Sequence, residues 1–366
     1  MTKRIDEIHS SKIRELFQRA AKLKNAINFG IGQPDFKVPQ QVKDDLIKAI
    51  QDDKTGYTQT AGITELKEKI LEKYSPHKFA EDVLISSGVT GGIFLSYSAI
   101  LEENDELIVF DPYFVMYPDL CNFLNAKAVI VKTNPNFTIN TDNLKQAISP
   151  KTKAILINSP NNPSGYVYSK QELEQIIEIA KQNDLWIISD EVYEDFNYEN
   201  KFISTGELYD KTIVLGGFSK NFALTGLRLG YIVGPKRIIE DMTKLQQYTY
   251  VCAPSIVQHA VAKNFNLEIK DEIEISKTKR DLIYNLLKDS FEITKPSAAF
   301  YMYPKLPEGI SATDFSEECL KNNLIIIPGS AFSKSDNYFR ISYATSEDKL
   351  KQGAQILIKI INEMKA

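Results

Sequence analysis

Seven short runs of apolar, often β-branched residues follow one another between residues 83 and 235: VLISS, ELIVFDP, AVIVKT, AILINSP, LWIISDEVY, TIVLGGFS and LGYIVGP. Each is bounded by Gly, Pro, Asn, Asp or Ser, the residues that break strands. Amphipathic stretches separate several of them. In SKQELEQIIEIAKQND (169–184) the apolar residues recur at helical spacing and Ser169 stands where an N-cap belongs. Strands this continuously apolar must be covered on both faces, so the pattern predicts an α/β fold whose larger lobe is a mostly parallel, helix-flanked sheet. Ligands of such sheets sit beyond the carboxyl ends of the strands. The strand ends are therefore where chemistry is sought.

A length of 366 residues exceeds what one hydrophobic core usually supports. We read an N-terminal arm over 1–44, a large domain over 45–275 and a smaller C-terminal α+β domain over 276–366, where the texture changes. That last part offers a charged helix (KTKRDLIYNLLKD), an aromatic run (AAFYMYP), a helix, two strands (LIIIP and YFRISYA) and a final helix. The first 44 residues contain a helix and the turn-rich FGIGQPDF, too little to fold alone, and are expected to pack on the second lobe.

Composition excludes several classes. With 43% hydrophobic and 25% charged residues the chain reads as globular. Its 44 Lys plus Arg against 48 Asp plus Glu, a net charge of -4, give no long-range attraction to nucleic acid. The first twenty residues alternate charged and apolar positions, and no segment reaches about 18 apolar residues, so a cytoplasmic protein without a membrane span is expected. Cys121, Cys252 and Cys319 are far apart, as are His9, His77 and His259. Neither disulfides nor a metal site is read from them.

The strand ends carry more. SSGVTGGIFLSYSAI (86–100) runs from a strand into a helix at Val89 and Thr90. The free amides of that helix start, with the Thr90 hydroxyl, suit a phosphate, while a glycine-rich turn with Thr90 as cap is the plainer reading. NSPNNPSGYVY (158–168) reads as Asn-rich turns. LWIISDEVY (185–193) ends a buried strand in Asp190, with Tyr193 three residues on. A buried carboxylate needs a partner, either an arginine or a protonated heterocyclic nitrogen. In GGFSKNFALTGLRLGY (216–231) Lys220 follows Ser219 at a strand end. Desolvation and a nearby cation such as Arg228 would lower its amine pKa and make it nucleophilic toward an aldehyde. Arg228, with Ser219, suits a phosphate as a bidentate fork.

A phosphate cup, a carboxylate for a ring nitrogen, a phenol, an amide and a nucleophilic lysine are what pyridoxal 5'-phosphate requires. The chain resembles the class I and II aminotransferases among the fold-type-I pyridoxal phosphate enzymes, particularly the prokaryotic aspartate/aromatic subgroup. GIGQPDF, TGYTQTAGITELKEKI, SSGVTGG, DPYFVMYP, NSPNNPSG, SDEVYEDF, SKNFALTGLRLGY, PGSAF and FRISYAT follow in that family's order over nearly the whole chain. The resemblance implies that Lys220 bonds the cofactor aldehyde and later shuttles the substrate α-proton. It implies that Asp190 pairs with the ring nitrogen, Tyr193 and Asn162 hydrogen-bond the ring's phenolic oxygen, and Phe114 stacks on the ring, with Tyr113 the neighbouring candidate. Val89, Thr90, Ser219 and Arg228 would hold the phosphate, reached also by Tyr57 from the second subunit of a homodimer. Arg340 would grip the substrate α-carboxylate, helped by Asn162 and the backbone at Gly32.

The departures from that pattern also inform. Many relatives have serine where Gly217 stands, tryptophan where Leu227 stands and glycine where Ala298 stands. Acid-specific members can carry lysine where Thr90 stands. A cation for a distal carboxylate is then missing, which puts strict aspartate preference in doubt. Together with the resemblance of GIGQPDF, GFSK and PGSAF to archaeal-type aromatic enzymes, this favours an aromatic amino acid as donor, aspartate or alanine staying open, with 2-oxoglutarate as acceptor in a ping-pong cycle. A carbon-sulfur β-lyase, using the same residues, is the alternative.

Overall fold

A computed structural model describes residues 5, 16, 19, 23, 25–199 and 202–365. A two-residue strand β1 (Ile27–Asn28) comes first. The seven apolar runs are then β2 (Asp82–Ser86), β3 (Glu106–Asp111), β4 (Lys127–Lys132), β5 (Thr152–Asn158), β6 (Trp186–Asp190), β7 (Thr212–Gly217) and β8 (Gly230–Gly234). They form one sheet in the order β2-β8-β7-β6-β5-β3-β4. β8 runs antiparallel to both neighbours, β2 and β7, while the other pairings are parallel. Consecutive residues of β6 and β7 are buried, Ile187–Asp190 and Thr212–Gly216, so both faces are covered as the apolar runs require.

Helices supply that cover. Over Lys170–Gln182, Leu173, Ile176, Ile177 and Ala180 form one buried stripe. Ser169 caps this helix as expected: its Oγ accepts from the Glu172 amide at 3.3 Å, and Glu172 accepts from the Ser169 amide at 2.8 Å. A reciprocal cap of this kind contributes ~1 kcal/mol.

The C-terminal part contains β9 (Tyr301–Met302), β10 (Leu324–Ile325), β11 (Ile327–Pro328) and β12 (Phe339–Ser342), with β12 antiparallel between β11 and β9. The helix Lys270–Leu287 runs unbroken through the texture change read at 276. Of the arm read over 1–44, a helix Gln40–Gln51 begins at the end, and most of the first 24 residues lie outside the described residues. Beyond them β1 pairs in parallel with β10, and the Ser342 amide donates to the Phe29 carbonyl at 2.6 Å. The FGIGQPDF segment thus leaves the smaller sheet and crosses toward the larger one. One apolar cluster, including Phe29, Val83, Tyr193, Phe300, Ile341 and Leu357, joins the two parts.

The reversed strand has a consequence for the site. Gly230, the first residue of β8, pairs with Gly217 at the end of β7 and with Ser86 at the end of β2. Residues just before β8 therefore reach the same sheet edge as residues just after β2 and β7. Among the described residues no helix is long and apolar enough to cross a membrane, and no His, Cys, Asp and Glu group is arranged to hold a metal. Cys121 and Cys319 are buried free thiols, and Cys252 is partly exposed.

Candidate active site

Lys220 lies three residues beyond the end of β7. Its Nζ donates to the Gly32 carbonyl at 2.6 Å and stands 5.6 Å from the Tyr193 ring centre and 5.8 Å from that of Phe300. Burial pulls the amine down to about 8, Arg340 adds to the effect, Asp190 opposes it and Arg228 contributes least. The cation that matters more to Lys220 is thus Arg340 from β12, not the Arg228 read from the local sequence.

Asp190 ends β6 and is 4% exposed. Burial raises its carboxyl to about 6, against the Tyr117 hydroxyl, which donates at 2.7 Å, the Val192 amide at 3.3 Å and the charge of Lys220. Its side-chain partners are thus a phenol and an amide, and the arginine considered as a structural partner is not among them. Asn158, paired with Asp190 in the sheet register, donates to the Asp190 carbonyl at 3.0 Å and accepts from the Asn162 amide at 2.9 Å. The Asn-rich turns are therefore part of the site's frame.

Arg340 is 2% exposed. Its Nη1 donates to Asn162 Oδ1 at 2.9 Å and its Nη2 to the Gly30 carbonyl at 2.6 Å, while Tyr301 and Phe332 flank the guanidinium at 4.6 and 4.8 Å. Nε is buried with no hydrogen-bond partner. An orphaned buried donor on a charged group is costly, and an anion is the natural partner. Tyr301 also shares a 2.9 Å hydrogen bond with the Tyr193 hydroxyl. A Cβ on Gly32 would lie 2.6 Å from the Tyr301 hydroxyl, so only glycine lets this backbone approach so closely.

The second anion-seeking feature is the start of the helix Gly88–Ile100. Ser87 holds the cap position without a side-chain cap bond, and Thr90 lies inside the first turn, so Thr90 is not the cap. The amides of that turn have no intrahelical acceptor. Arg228 crosses this helix start: its Nη1 donates to the Thr225 carbonyl at 2.9 Å, and a Cβ on Gly88 would meet its Nη2 at 2.6 Å.

A cavity of about 320 Å³ gathers these groups. Gly32, Val89, Thr90, Phe114, Asn162, Asp190, Tyr193, Ser219, Lys220, Arg228 and Arg340 all line it. Phe114, and not Tyr113, faces it. Tyr57 does not line it and is 88% exposed. Sequence reasoning missed Tyr117, Asn158, Tyr301, Gln33 and Thr225, which also line the cavity. Asn158 carried a usable signal, a polar residue at a strand's carboxyl end; Tyr117 and Tyr301 sit in aromatic runs that read as core. Chemically, the cavity sets one amine, its hold on its proton weakened by burial, between two sites for anions, with a buried carboxylate to one side.

This fold and site define an enzyme of amino-group transfer: the chain belongs to the family described as aminotransferase class I and II, whose pattern matches residues 24–357. It is 34% identical to the aromatic-amino-acid aminotransferase 2 of Thermococcus litoralis, over 100% of this chain and 99% of the relative. It is 36% identical to the aspartate aminotransferase of Pyrococcus abyssi, again over 100% and 99%. Among solved structures, the aspartate aminotransferase from Thermus thermophilus with maleate superposes with a TM-score of 0.94 at 31% identity, covering 98% of this chain and 99% of that one.

Proposed function

We propose that this aminotransferase uses pyridoxal 5'-phosphate to move the amino group of an aromatic L-amino acid to 2-oxoglutarate, in a ping-pong cycle carried out by a homodimer. The observation that carries the reading is the convergence of Lys220, Asp190, Arg228 and Arg340 on one cavity. The cofactor fits the residues present. The helix start at Val89 and Thr90, Ser219 and Arg228 suit its phosphate. Asp190, already desolvated, suits a protonated ring nitrogen, Phe114 suits its face, and Tyr193 and Asn162 suit its phenolic oxygen. When bound, the cofactor supplies an electron sink for negative charge at the substrate α-carbon.

The chain's own groups do the rest. Arg340 holds the substrate α-carboxylate through guanidinium N–H groups left unpaired, with Asn162 and the Gly30 carbonyl fixing the guanidinium's position. Lys220, with an amine near about 8, is poised both to bond an aldehyde and to carry a proton at Nζ. Tyr57, exposed on its own chain, fits the part of a phosphate contact donated to the partner's site.

The donor preference starts from charge accounting within this chain. Among the described residues of one chain, the cations lining the cavity are Lys220, Arg228 and Arg340, and each already has a role. A donor's distal carboxylate finds none left, whereas Ile31, Ile93 and Met116 offer apolar wall. Gln33 and Thr225 are neutral polar groups that can take the distal carboxylate of the acceptor and equally of an acidic donor, so the donor preference rests on the apolar wall.

Three experiments test the reading. Lys220→Ala should abolish turnover and the visible absorption of the bound cofactor; a variant retaining both would refute the assignment. A panel of amino acids with 2-oxoglutarate should run fastest with phenylalanine or tyrosine. Fastest turnover on aspartate would overturn the donor preference. Release of pyruvate and ammonia from cysteine conjugates without an oxo-acid acceptor would replace transamination by β-elimination.

A further inference from the structure

Tyr117 has no part in the roles set out above, yet the residue is 1% exposed and its hydroxyl makes the shortest side-chain contact of Asp190, at 2.7 Å. The residue belongs to the helix Met116–Phe123, and its ring meets that of Phe114 edge-on, 5.8 Å between centres at 76°. One side chain therefore touches both the carboxylate and the ring that face the cavity. A phenol at this place is not needed to fill space, since phenylalanine has the same ring. The hydroxyl is a donor aimed at a desolvated oxygen, and a charge-assisted bond of this kind favours the ionised acid.

We propose that Tyr117 is a positioning residue: its hydroxyl keeps Asp190 ionised and oriented toward the pyridine nitrogen, while its ring sets the angle of Phe114. This rests on the cofactor reading above. The other groups around Asp190 do not duplicate the donation. The Val192 amide reaches the other carboxylate oxygen at 3.3 Å, and Lys220 acts through its charge. Tyr97, from the helix Gly88–Ile100, and Tyr193 also lie within electrostatic reach, but the Tyr97 hydroxyl is buried with no partner and that of Tyr193 is shared with Tyr301. Arg340 and Arg228 bear on Lys220, beside it.

The test is cofactor affinity as a function of pH, on full-length protein stripped of cofactor and titrated with pyridoxal 5'-phosphate. Tyr117→Phe should bind normally at high pH, within about twofold of the unaltered chain. Its loss of affinity on acidification should begin about one pH unit higher, leaving it about fivefold weaker near pH 6 and approaching tenfold below pH ~5, because well below both midpoints one pH unit is a factor of ten. The cofactor's own titrations are common to both proteins and cancel in the ratio. In an Asp190→Asn background the same substitution should change affinity less than about twofold at every pH, since the contact it removes runs through the carboxylate. A ratio independent of pH would mean that Tyr117 only supports packing, and an undiminished effect in the Asp190→Asn background would mean that it acts elsewhere; either overturns the proposal. Failure of the unaltered chain to bind the cofactor at any pH would instead remove the cofactor reading, and this inference with it.

Discussion

Replacing Asp190 by asparagine should make the cofactor-free protein more stable at neutral pH while disabling it. Burial raises the carboxyl from 3.8 to about 6. The folded chain thus holds this proton more tightly than the unfolded chain. Between those values stability falls as pH rises; the cost is absent below 3.8 and complete above about 6. At about 1.36 kcal/mol per pH unit it totals ~3 kcal/mol, of which ~2 kcal/mol develops above pH ~4.5. Lys220, lowered to about 8, stays charged through this window. Asp195 and Glu191, raised to about 6 and about 8 by burial, titrate in both proteins and cancel in the difference. Urea unfolding of both proteins at pH 4.5 and pH 7 should show the variant's advantage growing by ~2 kcal/mol between the two. An advantage equal at both pH values, or a variant less stable at pH 7, would refute the claim that this carboxylate is held at a cost for its function.

Gly230→Ala places a Cβ 2.7 Å from the Gly88 carbonyl carbon and 2.8 Å from the Val89 nitrogen, both backbone atoms that cannot swing aside. Overpacking of this kind costs ~1–3 kcal/mol and should push the helix start away from the cavity, weakening cofactor binding by about tenfold or more. Gly226→Ala, whose Cβ meets nothing within 4 Å, should leave stability unchanged within ~0.5 kcal/mol by the same unfolding assay. Arg340→Lys removes the planar fork that meets Asn162 and Gly30. A hydrogen bond to a charged group is worth ~1.5–3 kcal/mol, so KM for the amino donor should rise about tenfold to a hundredfold; a KM within twofold of the original would show that Arg340 does not hold the substrate.

The seven strands of the large sheet were legible because each is an apolar run closed by a breaker, and a two-sided cover leaves no other arrangement for such runs. The direction of β8 was not. Nothing in LGYIVGP differs from the runs that form parallel strands, since direction is set by the short connection from Gly217 to Gly230 and by pairing with β2, a strand nearly 150 residues earlier. Arg280 shows the converse error of local reading. In KTKRDLIYNLLKD it looks like one charge on a solvated face, yet it is 1% exposed, bound to Glu199, Asp281 and the Pro296 carbonyl, with Tyr198 beneath it. Tyr117 and Tyr301 were hidden for a similar reason. An aromatic residue at core spacing reveals its ring to sequence analysis, whereas the partner of its hydroxyl is fixed only when distant strands meet.

The same desolvation accounts for the opposite shifts of Lys220 and Asp190 and for the exposed cost at Arg340. Removing water disfavours every charged form, so the amine moves down, the carboxyl moves up and the guanidinium is left with an unpaired Nε. A surface site would leave all three groups comfortable and none of them reactive. The seam between the sheets provides the dryness, because β12 brings Arg340 and the FGIGQPDF segment brings Gly30 and Gly32 against strand ends that the large sheet cannot cover alone. Each discomfort has a complement in one small molecule with an aldehyde, a basic ring nitrogen and a phosphate, joined by a substrate carboxylate. The two lobes are therefore a condition of the chemistry: separated, neither would hold its charges far enough from their preferred states to use them.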